Sequence, residues 1–562
     1  MSLLDTFFFS FAFVAVALAL VRRPVKAPWA GDRITSDSKV FWIFCGALFL
    51  VFAAVRVWRF GEVPGGMNQD GAMAAVDAYA LSLYGTDRFG MWLPAHFTAW
   101  GYGQMSVLLS YVMVPFIKIF GLSAFSARLP MLLVSLAAGA VLFRFVWRVC
   151  GKSAAAVALF FLAINPWHIM QSRWALDCNL LPHMVLFGIF CLYLGLWRKG
   201  FLYLSMVFFG LAMFTYGIAW FAVPILLVML CAYLLRTKLI KVREAALCAA
   251  VFLVTALPVI LVMIVNFFGL ESIETPLFTA AYFSDSVRAS DLLFFSPEPL
   301  AQLWKNLGSF ANCVLLQRGD PLWNAVPGFG TIYLFSMPFA VAGVFAVRHL
   351  LKALDPKRRA GLWFVLLWGV IGAIVGIFVN DVNINRINLI FYPLILLCAL
   401  GLWFVLFVKT RKEAMAAMLA GVYLLSFGRF SASYFGETNT ALSAQFMDGF
   451  GQAAAFIDER WDGPIYVTAY TQAPGYGHVT TILVQFHLAL DPAYVRGETP
   501  KEGTALPYSE RYQTTKFAAE GVDPGAVCIF NQYERGLFEG GGFTLYDFGG
   551  FGVAVPETIR LE

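Results

Sequence analysis

The sequence predicts a polytopic α-helical membrane protein with about twelve transmembrane helices, a structured first outer loop and a C-terminal α/β domain outside the membrane. Of the 562 residues, 60% are hydrophobic and only 13% are charged, which is far from the composition of soluble domains. Apolar runs long enough to span a bilayer recur from residue 3 to about residue 431. After about residue 435, charged residues return and the apolar runs shorten.

The basic residues predict the orientation of these helices. The formal net charge is +6, yet about half of the 40 lysines and arginines lie in six short clusters between apolar runs. Basic residues that border membrane helices collect on the cytoplasmic side. The charge therefore reports orientation and does not indicate a nucleic-acid partner. The clusters lie at residues 22–39, 144–152, 198–199, 236–243, 348–359 and 409–412.

The first apolar run, residues 3–21, predicts an uncleaved helix whose N-terminus lies outside. It carries Asp5 near its start and is followed by Arg22 and Arg23, the reverse of the charge order in a secretory signal peptide. Residues 40–58 predict the second span, which delivers the chain to the outer face.

Only one of the next two apolar stretches, 104–120 and 127–149, is expected to cross the membrane. Two crossings would return the chain to the outside, whereas the basic residues at 144–152 require the inside. The first stretch is short and contains Pro115 and Lys118. We therefore expect an interfacial or re-entrant helix there.

With this assignment, every basic cluster faces the cytoplasm. Three long segments lie outside, at 61–126, 167–179 and 269–330, together with the C-terminus. The later spans are predicted at residues 154–170, 180–197, 201–216, 218–235, 245–268, 331–349, 361–379, 386–408 and 413–431.

Residues 435–562 predict a small soluble α/β domain, long enough to bury its own core. The chain thus divides into an extra N-terminal helix with its cytoplasmic loop at 1–39, a membrane domain at 40–434 and this outer domain. Within the outer domain, periodicity and short apolar runs predict helices at 443–460 and 479–490, strands at 464–470 and 526–530, and a terminal hairpin that begins near Phe543.

The outer loop after the second span is the first candidate site. Residues 61–104 combine a Gly/Pro-rich turn, the lone acid Asp70, and several aromatic residues, with His96 and Tyr102 further along. Loops between membrane helices are normally short. This one indicates a functional surface in which Asp70 acts chemically and His96 and Tyr102 contact substrate. The alternative is an ordinary interfacial loop with an aromatic belt.

The second outer segment adds an acidic residue and a basic residue. Arg173 and Asp177 are four residues apart, which on a helix would place both on one face at the lip of a cavity. Ionisable residues at membrane depth usually serve function, and the alternative is a surface salt bridge. The nine cysteines are scattered without metal-ligand spacing, which predicts no metal centre.

The third candidate segment, residues 380–393, places Arg386 among four asparagines at the outer end of a span. A guanidinium binds phosphate through two parallel hydrogen bonds, and the amides of Asn383 and Asn385 can donate to the remaining oxygens. The cluster therefore fits a phosphate head group. A snorkelling arginine in a polar loop is the alternative.

Together these features resemble the glycosyltransferase-C superfamily, and most closely its protein O-mannosyltransferase and aminoarabinose transferase branch. The resemblance rests on the outer loop with Asp70 at its start, the Arg-Leu-Pro at 128–130 and the loop of Asp177, and it covers about residues 40–400. Such enzymes transfer a sugar from a polyprenyl phosphate to an acceptor at the outer face. The resemblance implies Asp70 as the general base and Asp177 as the second-loop acid.

The chain departs from these relatives at two places. Gly71 follows Asp70 where many relatives carry Glu, and WGYGQ stands at 100–104 where the aminoarabinose transferases carry Glu-Lys-Pro. A divalent metal is therefore not carried over from the relatives, and the cofactor stays undetermined.

The chemistry of the candidate residues agrees with sugar transfer. A sugar on a lipid phosphate already carries its leaving group, so one base, Asp70, and one cation, Arg386 or Arg173, suffice for an inverting single displacement. The expected partners are a polyprenyl-phosphate-linked sugar, a glycan, lipid or protein acceptor, and the bilayer. The expected location is the inner (plasma) membrane, with the active site and the C-terminal domain on the periplasmic or extracellular side.

Two other classes of function are open at this stage. One is a transporter or flippase of lipid-linked sugars, which should show polar residues at mid-span and duplicated halves. The other is a membrane-anchored protein of cell-envelope assembly, which would not need an acid in the first outer loop. Mostly apolar spans, the lack of an internal repeat and the presence of Asp70 favour the enzyme.

Overall fold

The computed structural model of the chain describes residues 3–24, 37–99, 104–284, 293–470 and 477–561. Within these ranges, ten helices are long and apolar enough to cross a membrane, which confirms the predicted class of a polytopic α-helical membrane protein. They are Leu3–Val21, Ser38–Val57, Ala124–Cys150, Asp177–Gly195, Ala219–Arg236, Val242–Phe268, Leu334–Ala353, Pro356–Phe378, Asn388–Thr410 and Glu413–Phe435.

Two of the predicted spans, 154–170 and 201–216, contain shorter helices. These are Lys152–Ala163, of 12 residues, and Gly200–Ala212, of 13 residues. The first ends early because the Asn165 side chain accepts a hydrogen bond from a backbone amide and starts a separate helix. The sequence predicts about twelve spans; the described residues contain ten helices of membrane length, and the other two predicted spans contain these shorter apolar helices.

The outer segments carry short elements of their own. The stretch 104–120, for which an interfacial or re-entrant helix is expected, contains the 13-residue helix Leu108–Phe120. Further elements include the helices Gln69–Tyr84, Pro166–Gln171 and Pro299–Val314, an antiparallel strand pair of Phe97–Thr98 with Gln104–Met105, and a hairpin of Ile273–Glu274 with Thr279–Ala280.

The spans Leu334–Ala353 and Asn388–Thr410 touch backbone to backbone. A Cβ added to Gly401 would collide with the carbonyl oxygen of Phe339, and one added to Gly343 would collide with a carbonyl oxygen of the other helix. Small residues let membrane helices approach this closely, which gains van der Waals contact where water supplies no driving force. The two spans are therefore held in one fixed crossing.

After the last span ends at Phe435, the chain forms the predicted α/β domain around one five-stranded sheet. In spatial order, the strands are Tyr512–Thr515, Ile465–Thr468, Val527–Asn531, Phe551–Pro556 and Phe543–Phe548. The first three run parallel to one another, and the remaining pairings are antiparallel. The longer helices are Glu437–Gln445, Phe450–Asp458 and Gly477–His487.

Most sequence-based expectations for this domain are confirmed, including both predicted strands, the helix at 479–490 and the terminal hairpin. The expected helix at 443–460 is instead two helices. The break contains Gly449, whose φ is 90° and whose α-carbon lies so close to the Phe548 carbonyl oxygen that a Cβ would collide with it. The strand Tyr512–Thr515 is not predicted by the sequence, because YQTT contains no apolar run.

Candidate active site

Asp70 lies in the first turn of the helix Gln69–Tyr84. An acidic side chain is favourable there, because the N-terminal end of a helix carries a partial positive charge. The residues from Gly71 to Leu81 are almost all buried, and Gly85 ends the helix with a φ of 70° that glycine adopts without strain. Asp70 is therefore carried by a helix that is enclosed along most of its length.

One cavity of about 130 Å³ brings together residues from the three candidate segments, which are the loop at 61–104, the segment of Arg173 and Asp177, and the segment that begins at residue 380. Asp70 comes from the first segment, Asp177 from the second and Asn385 from the third. The sequence predicts these three site residues separately, and the fold places them around one space. The other lining residues are Met73, Ala99, Gln104, Met105, Leu176, Cys178 and Tyr216.

The second and third segments are joined beside this cavity. The side-chain amide of Asn388 donates a hydrogen bond to the carbonyl oxygen of Cys178 at 2.6 Å. The Asp177 carboxylate accepts one from the Cys178 amide, also at 2.6 Å. Because Asn388 also begins a central span, the Asp177 segment is tied to a fixed element of the bundle.

Arg386 directly follows the cavity residue Asn385. Its guanidinium donates to the carbonyl oxygen of Asn380 at 2.6 Å, and its backbone amide donates to the Asn383 side chain at 3.1 Å. The Asn383 amide in turn donates to the carbonyl of Asp381 at 2.9 Å. Asn385 thus lines the cavity, whereas Asn383 shapes the loop that carries Arg386.

Arg173 is fully buried and binds backbone. The expected arrangement, with Arg173 and Asp177 on one helical face, is wrong, because the helix Pro166–Gln171 ends before Arg173 and a separate turn of 3-10 helix starts at Asp177. The guanidinium instead binds the end of the second span and the loop after it. It donates at 2.7 to 3.1 Å to the carbonyl oxygens of Val55, Arg56, Trp58, Arg59 and Val63.

Of the other two predicted substrate contacts, His96 is not among the residues that line the cavity. His96 is 5% exposed and packs among aromatic rings, 5.2 Å from Trp220 and 6.0 Å from Phe283 between ring centroids. These contacts indicate a packing role for His96 in the first outer segment. Tyr102 lies outside the described residues.

The loop before Asp70 is fixed from the membrane side by Arg128, the arginine of the Arg-Leu-Pro sequence. Its guanidinium donates to the carbonyl oxygens of Gly61, Pro64 and Gly66 at 2.6 to 3.1 Å. Buried carbonyl oxygens need hydrogen-bond donors, and the rigid guanidinium of Arg128 donates to three such oxygens. The residue therefore holds the turn that leads to Asp70.

The C-terminal domain fixes the same loop from the other side. The Met67 amide donates to the carbonyl oxygen of Phe446 at 2.7 Å, and the Gly65 amide donates to the Asn439 side chain at 3.0 Å. The helix Gly477–His487 also packs against the helix that carries Asp70. The loop is thus held between the membrane domain and the C-terminal domain.

Sequence reasoning missed a buried pair that shapes the cavity wall, Asp77 and Arg88. The two side chains form a salt bridge. Burial raises the pKa of Asp77, and the neighbouring Arg88 guanidinium opposes that shift. Arg88 also donates to the carbonyl oxygens of Thr98 and Ala99, and Ala99 lines the cavity. An acidic residue in the middle of an otherwise apolar helix was the available signal, since buried charges are normally paired.

Arg56, a charge inside the second span, was also missed. It is fully buried and donates to the carbonyl oxygens of Leu162 and Ala163 at 3.0 and 3.2 Å and to His168 Nδ1 at 3.1 Å. These carbonyls end the short helix before Asn165, and the last carbonyls of a helix lack partners within it. Arg56 supplies those donors. Its position in an apolar run was the signal.

The cavity supplies two carboxylates as possible metal ligands. In the part of the chain that the structure describes, no group of three or more His, Cys, Asp or Glu side chains has an arrangement that could hold a metal ion. Two carboxylates with a substrate phosphate are a ligand set that Mg²⁺ accepts. The residues present thus fit a divalent cation only together with a phosphate-bearing substrate.

Residues 104–262 match the family model described as dolichyl-phosphate-mannose-protein mannosyltransferase. No curated protein sequence is significantly similar to the chain. Among solved structures, the chain is similar to ArnT from Cupriavidus metallidurans bound to undecaprenyl phosphate, with a TM-score of 0.50 and 15% identity over 92% of this chain and 98% of that chain. It is also similar to the oligosaccharyltransferase AglB from Archaeoglobus fulgidus in complex with an inhibitory peptide and a dolichol-phosphate, with a TM-score of 0.49 and 14% identity over 93% of this chain and 75% of that chain.

The matched segment contains Arg128, Asp177 and Tyr216, which hold the first outer loop or line the cavity. At 15% identity, the likeness to ArnT establishes the fold, and it extends over nearly the whole chain. In sequence over residues 104–262 and in fold over 92% of its length, the chain therefore resembles the glycosyltransferase-C superfamily, as its outer-loop residues implied.

Proposed function

We propose that the protein is an inverting membrane glycosyltransferase, which moves a sugar from a polyprenyl phosphate to an acceptor at the outer face of the membrane. The observation that carries this proposal is the cavity in which Asp70 and Asp177 meet Asn385 beside Arg386. Further support comes from the mannosyltransferase family model over residues 104–262 and from the undecaprenyl phosphate bound by ArnT.

In this proposal Asp70 is the general base. Its carboxylate takes the proton of an acceptor hydroxyl or amine while the acceptor atom bonds to the anomeric carbon. The bond between that carbon and the phosphate oxygen breaks, and polyprenyl phosphate leaves with the bonding electrons. Attack opposite the leaving group inverts the anomeric centre and requires one carboxylate as base. Asp177, across the same cavity, accepts hydrogen bonds from the hydroxyls of the bound sugar or acceptor.

Arg386 is proposed to bind the phosphate, with Asn385 donating to a remaining oxygen. Arg386→Ala should weaken donor binding roughly tenfold to a hundredfold, as expected for a charged hydrogen bond of about 1.5–3 kcal/mol. Arg386→Lys should weaken it less, because lysine keeps the charge but loses the planar fork. Titration of donor and acceptor against each variant measures the effect. The control is Arg318→Ala, which alters an exposed arginine in the outer segment at residues 269–330. Unchanged donor affinity with weakened acceptor binding would assign Arg386 to the acceptor.

The ten membrane-length helices make this a multi-pass membrane protein. We place it in the inner (plasma) membrane, with residues 61–126, 269–330 and 435–562 on the periplasmic or extracellular side. In intact cells, a membrane-impermeant thiol reagent should label Lys305→Cys but not Lys352→Cys, both of which are exposed positions. Labelling of position 352 from outside would reverse the proposed topology.

The division of the chain at residues 39 and 435 is also proposed, with the third part, 435–562, shaping acceptor access. Among the described residues, those that line the cavity all precede Arg386. In the C-terminal domain, the Asp458 carboxylate forms ion pairs with Lys501 at 2.6 Å and with Arg511 at 2.8 Å. These facts support a positioning role for this domain and leave the chemistry to the membrane domain.

Purified protein in lipid nanodiscs, supplied with a panel of synthetic polyprenyl-phosphate sugars, tests the function directly. We expect release of polyprenyl phosphate that requires an acceptor, together with a glycosylated product of inverted configuration by mass spectrometry and NMR. Movement of an intact lipid-linked sugar across the bilayer, without cleavage of the phosphate bond, would establish a transporter instead.

A further inference from the structure

A second cavity lies inside the membrane domain. Its volume is about 310 Å³, and it is lined by apolar side chains and two cysteines. Met206, Leu230 and Phe252 are among them. Two other lining residues, Val228 and Leu253, are 68% and 54% exposed, which places the opening on the surface that faces the bilayer. A hydrocarbon chain can therefore enter it sideways from the membrane.

This cavity extends away from the active-site cavity, toward the C-terminal end of the helix Ala219–Arg236. The helix Ala219–Arg236 begins close to Tyr216, which lines the active-site cavity. The second cavity extends to Leu234, near the far end of that helix. At a rise of 1.5 Å per residue, Leu234 lies about 22 Å along the axis from Ala219.

A strongly basic turn, residues 236–243, borders the cavity beyond Leu234. Ile240 lines the cavity and lies within the turn, between exposed basic residues on both sides. The neighbouring acid, Glu244, is engaged by Lys199 at 3.0 Å. Across the described ranges, no ion pair involves the four basic side chains of this turn, which are Arg236, Lys238, Lys241 and Arg243.

We propose that the cavity binds an acyl chain of an anionic phospholipid, whose phosphate lies against the basic turn at 236–243. The apolar lining removes the chain from contact with water and with other lipids, and clustered basic residues attract anionic head groups at a membrane surface. The polyprenyl donor does not satisfy both parts of this site. In the proposed reaction, its phosphate must reach the cavity of Asp70 and Tyr216, which lies near the N-terminal end of the helix Ala219–Arg236.

Native mass spectrometry of the delipidated full-length protein tests this, by titration with phosphatidylglycerol and phosphatidylcholine of identical acyl chains. Phosphatidylglycerol should bind roughly tenfold more tightly or better. The variant Arg236→Gln/Lys238→Gln/Lys241→Gln/Arg243→Gln should lose this preference. A control with four other exposed basic residues neutralised, Arg22→Gln/Arg23→Gln/Arg348→Gln/Lys352→Gln, should keep it.

A second variant, Ala249→Phe, fills the cavity at an exposed lining position and should weaken binding of both lipids. Equal affinity of the unaltered protein for the two lipids would overturn the proposal. So would loss of the preference in the control, which would show a response to overall charge, or displacement of the phospholipid by equimolar undecaprenyl phosphate. The four basic positions are exposed, so their variant should fold, and a melting curve checks this.

Discussion

Asp70→Asn should lower turnover by about a hundredfold or more, the contribution expected of a positioned general base. The change is isosteric, so the helix Gln69–Tyr84 should form as before. What it removes is the carboxylate that accepts the proton of the acceptor. Turnover at saturating donor and acceptor measures the effect, and the melting temperature of the purified protein reports on the fold.

Two other acids provide the comparison. Glu62→Gln alters an acid of the same loop that is exposed and paired with Arg59, and it should leave turnover unchanged. Asp177→Asn alters the second carboxylate of the cavity and should reduce turnover less than Asp70→Asn. If Asp70→Asn kept more than about a tenth of wild-type turnover, or if Asp177→Asn were the more damaging change, the base would have to be reassigned.

Gly66→Ala should be the next most damaging change, although it adds only a methyl group. Gly66 has a φ of 68°, and a Cβ there would collide with the carbonyl oxygen of Phe446. That same oxygen accepts the Met67 amide, three residues before Asp70. Relief of the collision must separate the loop from the C-terminal domain, and a displacement of about 1 Å at a reacting group can cost a hundredfold in rate.

Gly269→Ala is the matched control for this prediction. Gly269 has a similar φ of 63°, and a Cβ there would meet no atom within 4 Å. The Gly269→Ala protein should therefore lose about 1 kcal/mol of stability from backbone strain, and its turnover should be unchanged. Normal turnover in Gly66→Ala would show that contact with the C-terminal domain does not position Asp70.

The sequence predicted residues of the candidate site where a polar side chain occurs in an otherwise apolar chain. Asp70 and Asp177 stand out because they lie in long outer segments of a chain with few charges. That they line one cavity with Asn385 depends on the packing of three distant segments. Hydropathy, which predicts the spans themselves, carries no information about that packing.

The sequence-based prediction was wrong where a side chain binds main-chain atoms and not another side chain. Arg173 and Asp177 have helical spacing, but the chain between them is not one helix, and the Arg173 guanidinium is taken up by carbonyls of the second span. The last carbonyls of the helix that ends before Asn165 likewise have their donors on another helix, in the guanidinium of Arg56. Main-chain partners such as these leave no residue pattern to read.

The arginines that hold the first outer loop bind main-chain oxygens, three through Arg128 and five through Arg173. A carbonyl oxygen is the same in every amino acid. Side chains between residues 55 and 66 can therefore be exchanged without loss of these contacts, unless the new residue changes the course of the backbone. The number of residues cannot change as freely. One inserted or deleted residue would shift the oxygens out of reach of both guanidinium groups, so in this stretch length is constrained more tightly than composition.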